Sequence, residues 1–226
     1  MASATPRSVT ISVGDAGHVS ALLQAPDDAR AGCVLAHGAG AGMAHPFMEA
    51  VAEGLAQRGI ATLRYQFPYM ERGSRRPDPP ERAQAAVRAA VACATRSLPG
   101  LPLVAGGKSF GGRMTAQAQA SSPLAEVRGL VFLGFPLHQP GRPSNERGKH
   151  LLDVRVPMLF LQGTRDALAD LRLLEDLVHR LGARATLELL QDAEHSFHVP
   201  ARSGRTDVAV RDEMLEALAD WIDATV

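Results

Sequence analysis

The sequence predicts an α/β fold: a mostly parallel eight-stranded sheet with helices on both faces, opened by an antiparallel hairpin, in one domain spanning 1–226. Three observations predict it. Short apolar runs of four to seven residues alternate with stretches of helical periodicity, as in a parallel sheet buried on both faces. Two β-like runs at the start flank a tight turn. The total of 226 residues with 46% apolar content suffices for a sizeable core.

The hairpin comes first, with strands near 8–13 and 18–24 joined by Gly14-Asp15-Ala16-Gly17. CVLAHG (33–38) is the next strand. A helix near 45–58 places Phe47, Val51 and Leu55 on one face and stops at Gly59. IATLRY (60–65) is a strand, followed by a loop rich in Pro and Arg over 66–80. The Ala-rich run 81–97 is a strong helix former. LPLVAGG (101–107) and GLVFLGF (129–135) are strands with a helix from about 111 to 121 between them. An irregular stretch, 136–150, is too short for a folded cap domain. PMLFLQG (157–163) is a strand, then a helix near 169–181 ends at Gly182, and ATLELLQ (185–191) is the last strand. The final helix, near 206–223, sets Val210, Met214, Leu218 and Trp221 on one face.

Composition excludes several classes of function. Lys plus Arg and Asp plus Glu both number 24, so no charge excess favours nucleic acid or an anionic membrane. No segment approaches the roughly 20 apolar residues of a membrane span, and the first residues lack the apolar stretch of a signal peptide. Cys33 and Cys93 lie in apolar runs and read as small buried residues. The expected location is cytoplasmic.

The stretch LVAGGKSFGG (103–112) admits two chemical readings. A phosphate loop, G-x-x-x-x-G-K-[ST], requires glycine at 102, where Pro102 stands. A dinucleotide fingerprint in GAGAGM (38–43) fails at Met43. No nucleotide cofactor is expected. The spacing Gly107-x-Ser109-x-Gly111 fits a nucleophile elbow, where a serine sits on a sharp strand-to-helix turn and small neighbours let it close. The following helix N-terminus aims N–H groups at a developing oxyanion.

A serine hydroxyl needs a histidine base held by a carboxylate, and on such an elbow the chain order is Ser, Asp or Glu, His. Asp166 follows the strand 157–163 and His195 follows the strand 185–191, in that order. The strand C-termini are where chemistry gathers in such sheets. The oxyanion donors expected are the backbone N–H of Phe110, the residue after the nucleophile, and that of Ala39 in the glycine-rich loop His37–Gly42. His37 is expected to order that loop by hydrogen bonding.

Other residues are read as follows. Glu194 is a solvated loop carboxylate, and Asp170 caps the following helix. His198 lacks the companions of a metal site, so no metal is expected. Lys108 lies on the turn flank, exposed or paired with a carboxylate, and Arg113 forms an ion pair. The loop 66–80, with Arg72, Arg75 and Arg76 beside Phe67, Tyr69 and Met70, is read as a solvated basic loop near the site. Met43, Phe110, Met114 and Phe135 are core or acyl-pocket residues.

On LAHGAGAG (35–42), RYQFPYMERG (64–73), GGKSFGGRM (106–114), LFLQGTRD (159–166) and DAEHSF (192–197), the chain resembles small cap-less members of the α/β-hydrolase superfamily, near the dienelactone-hydrolase-like group. The resemblance spans nearly the whole chain. It implies an α/β-hydrolase fold and catalytic roles for Ser109, Asp166 and His195. Ser109 stands where dienelactone hydrolases carry a cysteine, which separates the expected substrate from theirs. The expectation is a serine hydrolase acting on a small-molecule ester or thioester. Two alternatives use the same residues differently: a non-catalytic interaction module, and a peptidase or acyltransferase.

Overall fold

The computed structural model describes residues 4–226. The strands are β1 (Arg7–Ser12), β2 (His18–Gln24), β3 (Ala31–Ala36), β4 (Ile60–Tyr65), β5 (Leu103–Lys108), β6 (Val127–Leu133), β7 (Met158–Gly163) and β8 (Ala185–Leu190). They form one sheet in the order β1-β2-β4-β3-β5-β6-β7-β8. β1 pairs antiparallel with β2, and β2 antiparallel with β4; every other pairing is parallel. This is the eight-stranded, mostly parallel sheet with an antiparallel N-terminal edge that the alternating pattern predicts.

The helices are α1 (Pro46–Ala56), α2 (Pro68–Glu71), α3 (Pro80–Ser97), α4 (Phe110–Ser121), α5 (Leu171–Leu181) and α6 (Asp207–Thr225). Their starts carry local signals. Pro46 opens α1 behind His45, whose ring accepts from the Phe47 N–H. Asp170 caps α5 by accepting from the Leu173 N–H at 3.1 Å, and Thr206 caps α6 by accepting from the Ala209 N–H at 3.1 Å.

Two apolar layers sandwich the sheet. On one side α1 and α6 bring Val51, Leu55, Val210, Met214 and Leu218 against the inner residues of β3 to β7. On the other, α3, α4 and α5 bring Val87, Val91, Met114, Leu174 and Leu177 against Val34, Phe132 and Phe160. β3 and β4 are buried at every position; β3 is apolar throughout, while β4 also buries Thr62 and Arg64, whose Nη1 donates to the Met43 carbonyl at 3.1 Å. The large side chains of these layers, such as Leu35, Leu55 and Phe132, each contribute roughly 1.5–3 kcal/mol on leaving water.

The stretches read as irregular have structure. Residues 66–80 contain the short helix α2. Residues 136–150 contain a bridge between Gln139 and Arg142 and lead into a 3-10 helix, Glu146–Asp153. β6 starts at Val127, two residues before the expected strand, and stops at Leu133 because Gly134 turns the chain with φ 71°.

Register decides where the site lies. Ala36 is level with Gly107, Lys108 with Leu133, Leu133 with Leu161, and Gly163 with Leu190. The loops after β3, β5, β6, β7 and β8 therefore emerge together at one end of the sheet. Among the described residues, no helix is long and apolar enough to cross a membrane.

Candidate active site

Ser109 sits between β5 and α4 with φ 50°, a left-handed conformation costing a non-glycine residue roughly 1–3 kcal/mol. The neighbours hold it there. Ser109 N–H donates to the Leu133 carbonyl at 3.2 Å, and its own carbonyl accepts from the Arg113 N–H at 3.1 Å. The flanking glycines permit the turn by close approach. A Cβ at Gly107 would lie 2.1 Å from the Ala36 carbonyl oxygen, and one at Gly111 would lie 2.6 Å from the carbonyl oxygens of Ala36 and His37.

His195 lies in the loop after β8, and its Nε2 is 2.8 Å from Ser109 Oγ. Its Nδ1 is 2.7 Å from Asp166 Oδ2. The carboxylate faces Nδ1, so Nδ1 carries the proton and Nε2 is left to accept from the hydroxyl. Asp166 follows β7, and its side chain is fully buried while that of His195 is 25% exposed. Two further donors converge on Asp166: Gln162 Nε2 at 2.6 Å on Oδ2 and the Leu168 N–H at 2.7 Å on Oδ1. A buried carboxylate is tolerable only with such partners. The two loops are stitched together by Arg165 N–H to the Ala193 carbonyl at 2.9 Å and Asp192 N–H to Thr164 Oγ1 at 2.9 Å.

Phe110 is the first residue of α4, where N–H groups have no intrahelical acceptor. Ala39 is exposed in the loop after β3. Around it, Gly40 N–H donates to Tyr69 Oη at 2.9 Å, Ala41 N–H to the Gly38 carbonyl at 3.2 Å, and Met43 N–H to Gln66 Oε1 at 2.8 Å. The Ala39 N–H takes part in none of these bonds. His37 is buried beneath, with Nδ1 2.7 Å from the Gly38 carbonyl and Nε2 accepting from the Phe67 N–H at 3.1 Å. Burial pushes its imidazole down to about 4, so it serves this loop neutral.

A cleft of about 370 Å³ opens over these groups, lined by Gly38, Ala39, Phe47, Met48, Ser109 and His195 among others. A larger hollow of about 870 Å³ between β8 and α6 is walled by Glu188, Asp212, Glu213, Glu216 and Asp220. Its lining holds neither a serine nor a histidine.

Several side chains differ from their sequence reading. Lys108 is not exposed, and it forms no ion pair among the described residues. Its Nζ donates to the His195 carbonyl and stands 4.9 Å from the centroid of Phe197. Burial pushes the ammonium down to about 8, against the pull of Asp166. Arg113 makes no ion pair among the described residues; its Nε is buried without a partner and its guanidinium lies 5.8 Å from the Phe110 ring. Arg72 is tied to buried Asp78 at 2.6 Å and Phe67 and Tyr69 are fully buried, so this part of the 66–80 loop is packed rather than solvated. Glu194 accepts from Ser196 Oγ at 2.7 Å, and His198 pairs with Asp207 at the surface.

Gln162 is a site residue that local sequence pattern does not single out. It donates to Asp166 and accepts from the Phe135 N–H at 2.8 Å, locking together the loops after β6 and β7. The available signal was a single polar residue inside the apolar strand MLFLQG. Among the described residues, no group of three His, Cys, Asp or Glu is arranged to hold a metal ion.

Solved structures share the whole architecture. A dienelactone hydrolase from Anabaena variabilis ATCC 29413 superposes with a TM-score of 0.80 at 22% identity, covering 100% of both chains. A lidless a/b serine hydrolase from Xanthomonas campestris gives 0.74 at 22% identity, covering 96% of this chain and 94% of its own. A cold-adapted esterase from an Arctic intertidal metagenomic library gives 0.72 at 20% identity, covering 100% of this chain and 96% of its own. At these identities the likeness concerns the fold. The sequence itself matches the family model for the alpha/beta hydrolase domain over residues 29–223, and the chain belongs to that family.

Proposed function

We propose that the protein is a serine hydrolase that cleaves a carboxylic ester or thioester through an acyl-enzyme. The observation that carries this reading is the unbroken chain from Ser109 Oγ to His195 Nε2 at 2.8 Å and from His195 Nδ1 to Asp166 Oδ2 at 2.7 Å. Ser109 attacks the substrate carbonyl while His195 removes its proton. Asp166 keeps the imidazole in the accepting tautomer and stabilises the cation that forms. The backbone N–H groups of Phe110 and Ala39 bind the oxyanion, in a site where such donors contribute most because they are already oriented. His195 returns the proton to the departing alcohol or thiol. A water, deprotonated by His195, then releases the acid and restores Ser109. Each step is carried by side chains and backbone, so the reaction requires no cofactor.

The cleft fits a small substrate, and the printed names of the structural neighbours, esterase and serine hydrolase, accord with this chemistry. The test is labelling with a fluorophosphonate probe, read by intact mass, on wild type and Ser109→Ala. A single adduct on wild type, absent from the variant, is the expected result. A folded wild type that takes no adduct would overturn the proposal in favour of a non-catalytic interaction module.

A further inference from the structure

One cluster of polar groups is absent from the reaction described above. It lies where α4 packs against the 3-10 helix Glu146–Asp153. Arg113 stands one helical turn beyond Ser109 on α4, and helical side chains lean back towards the N-terminus, here towards the nucleophile turn. Its guanidinium lies 5.8 Å from the Phe110 ring. Arg113 Nε, His150 Nε2 and Gln117 Oε1 are all buried without a hydrogen-bond partner.

The charges make the cluster one-sided. Among the described residues, neither Arg113 nor Arg147 forms an ion pair. Arg147 is close enough to Arg113 to disfavour its charge, and Arg113 in turn acts on His150. Burial and Arg113 push the His150 imidazole down to about 4, against the opposing pull of Asp153. Arg147 Nη1 donates to the His138 carbonyl at 3.2 Å, which fixes its direction. His150 packs 6.3 Å from Phe135, at the exit of β6. Two guanidinium charges near one another and a buried N–H without an acceptor are each costly, and an anion would relieve both defects at once.

We infer that Arg113, Arg147 and His150 form a binding site for a small oxyanion, a carboxylate or phosphate group, on the flank of α4 beside Ser109. Guanidinium groups suit such ligands because their planar forks match two oxygens. Gln117 contributes an amide that can present either its donor or its acceptor end, the latter to a phosphate hydroxyl. The oxyanion is either free or carried on the substrate cleaved at Ser109. The site stands on its own contacts and does not require Ser109 to be a nucleophile.

The test uses inorganic phosphate against chloride at equal ionic strength. Thermal unfolding of wild type, Arg113→Gln and Arg147→Gln is followed over a phosphate titration. The expected result is a saturable rise in Tm for wild type that is lost in both variants. No rise beyond chloride in wild type, or an equal rise in the folded variants, overturns the inference. Should Arg113→Gln fail to fold, Arg147→Gln decides alone. Two esters then separate the sources. A substrate-borne anion predicts that mono-p-nitrophenyl glutarate has a higher kcat/KM than p-nitrophenyl butyrate, that phosphate competes with the glutarate, and that Arg147→Gln lowers the glutarate-to-butyrate ratio at least tenfold. A free anion predicts the phosphate shift with that ratio unmoved. Phosphate binding without turnover of either ester would uphold this site and count against the proposed hydrolysis.

Discussion

Lys108→Met exchanges a buried ammonium for a thioether on a stem of similar length. In the folded protein burial brings the ammonium from 10.5 down to about 8. That gap of about 2.5 pH units, at 1.36 kcal/mol each, makes the buried charge cost the fold about 3 kcal/mol at neutral pH. Methionine removes this cost but leaves the His195 carbonyl without its Lys108 donor, a loss of about 1 kcal/mol. The variant should therefore be more stable by about 2 kcal/mol near pH 7. The sign is fixed by proton binding: the folded state holds this proton more weakly than the unfolded chain. The penalty is fully present below about pH 8 and fades as pH rises towards 10.5, where the unfolded chain also releases the proton. Urea unfolding of both proteins across that range should show the stability gap closing and then reversing by about 1 kcal/mol. Under the proposed function, phosphonate labelling at Ser109 should slow in the same variant, because the His195 loop loses its tie to β5. A variant less stable than wild type at neutral pH, or a gap that ignores pH, would refute the reasoning.

Gln162→Leu leaves the Phe135 N–H buried without an acceptor and removes one donor from Asp166. It should cost about 3 kcal/mol in urea unfolding and slow labelling at least tenfold, with unchanged labelling arguing against a role in orienting Asp166. Gly107→Ala forces a Cβ to 2.1 Å from the Ala36 carbonyl oxygen, so β3 and β5 must part. A loss of about 4 kcal/mol or more is expected, visible as a collapse of the melting temperature by circular dichroism. Cys33 is fully buried and its thiol is pushed up to about 12. A disulfide reagent at mildly alkaline pH should leave Cys33 unmodified in the native protein and modify it after denaturation, as read by peptide mass.

The parts legible in the sequence are those governed by local pattern. β3 to β7 could be read because a strand buried on both faces is apolar at most positions, as these five are. The turn at Ser109 could be read because glycines at 107 and 111 answer a steric demand inside five residues. The pairing of Asp166 with His195 was legible through chain order and the rule that strand exits share one end of a parallel sheet. The parts that escaped depend on register between distant strands. Gln162 meets the Phe135 N–H because β6 and β7 align Leu133 with Leu161, and no local pattern carries that alignment. Lys108 reads as a flank residue because lysine is almost never buried. It is half-buried here because the His195 loop folds back over the end of β5 and supplies both a carbonyl and an aromatic face.

The basic loop after β4 shows how composition can point to the wrong partner. Its arginines suggest a surface that meets solvent or a substrate, yet one of them serves a carboxylate within the loop. Asp78 is buried and accepts from the Tyr69 N–H at 2.7 Å and from Arg72 at 2.6 Å, while Arg82 stands 3.7 Å away. Those bonds hold α2 against the molecule. Tyr69, on α2, then accepts from the Gly40 N–H, one residue from Ala39, and Gln66, at the exit of β4, accepts from the Met43 N–H. A flexible glycine-rich loop could not present an N–H in a fixed direction unaided, since glycine offers the backbone more freedom than any other residue. Asp78, Tyr69 and Gln66 supply that direction from the neighbouring strand exit. The positive charge of this loop is therefore partly spent on rigidity, whereas Arg113 and Arg147, across α4, form no ion pair among the described residues.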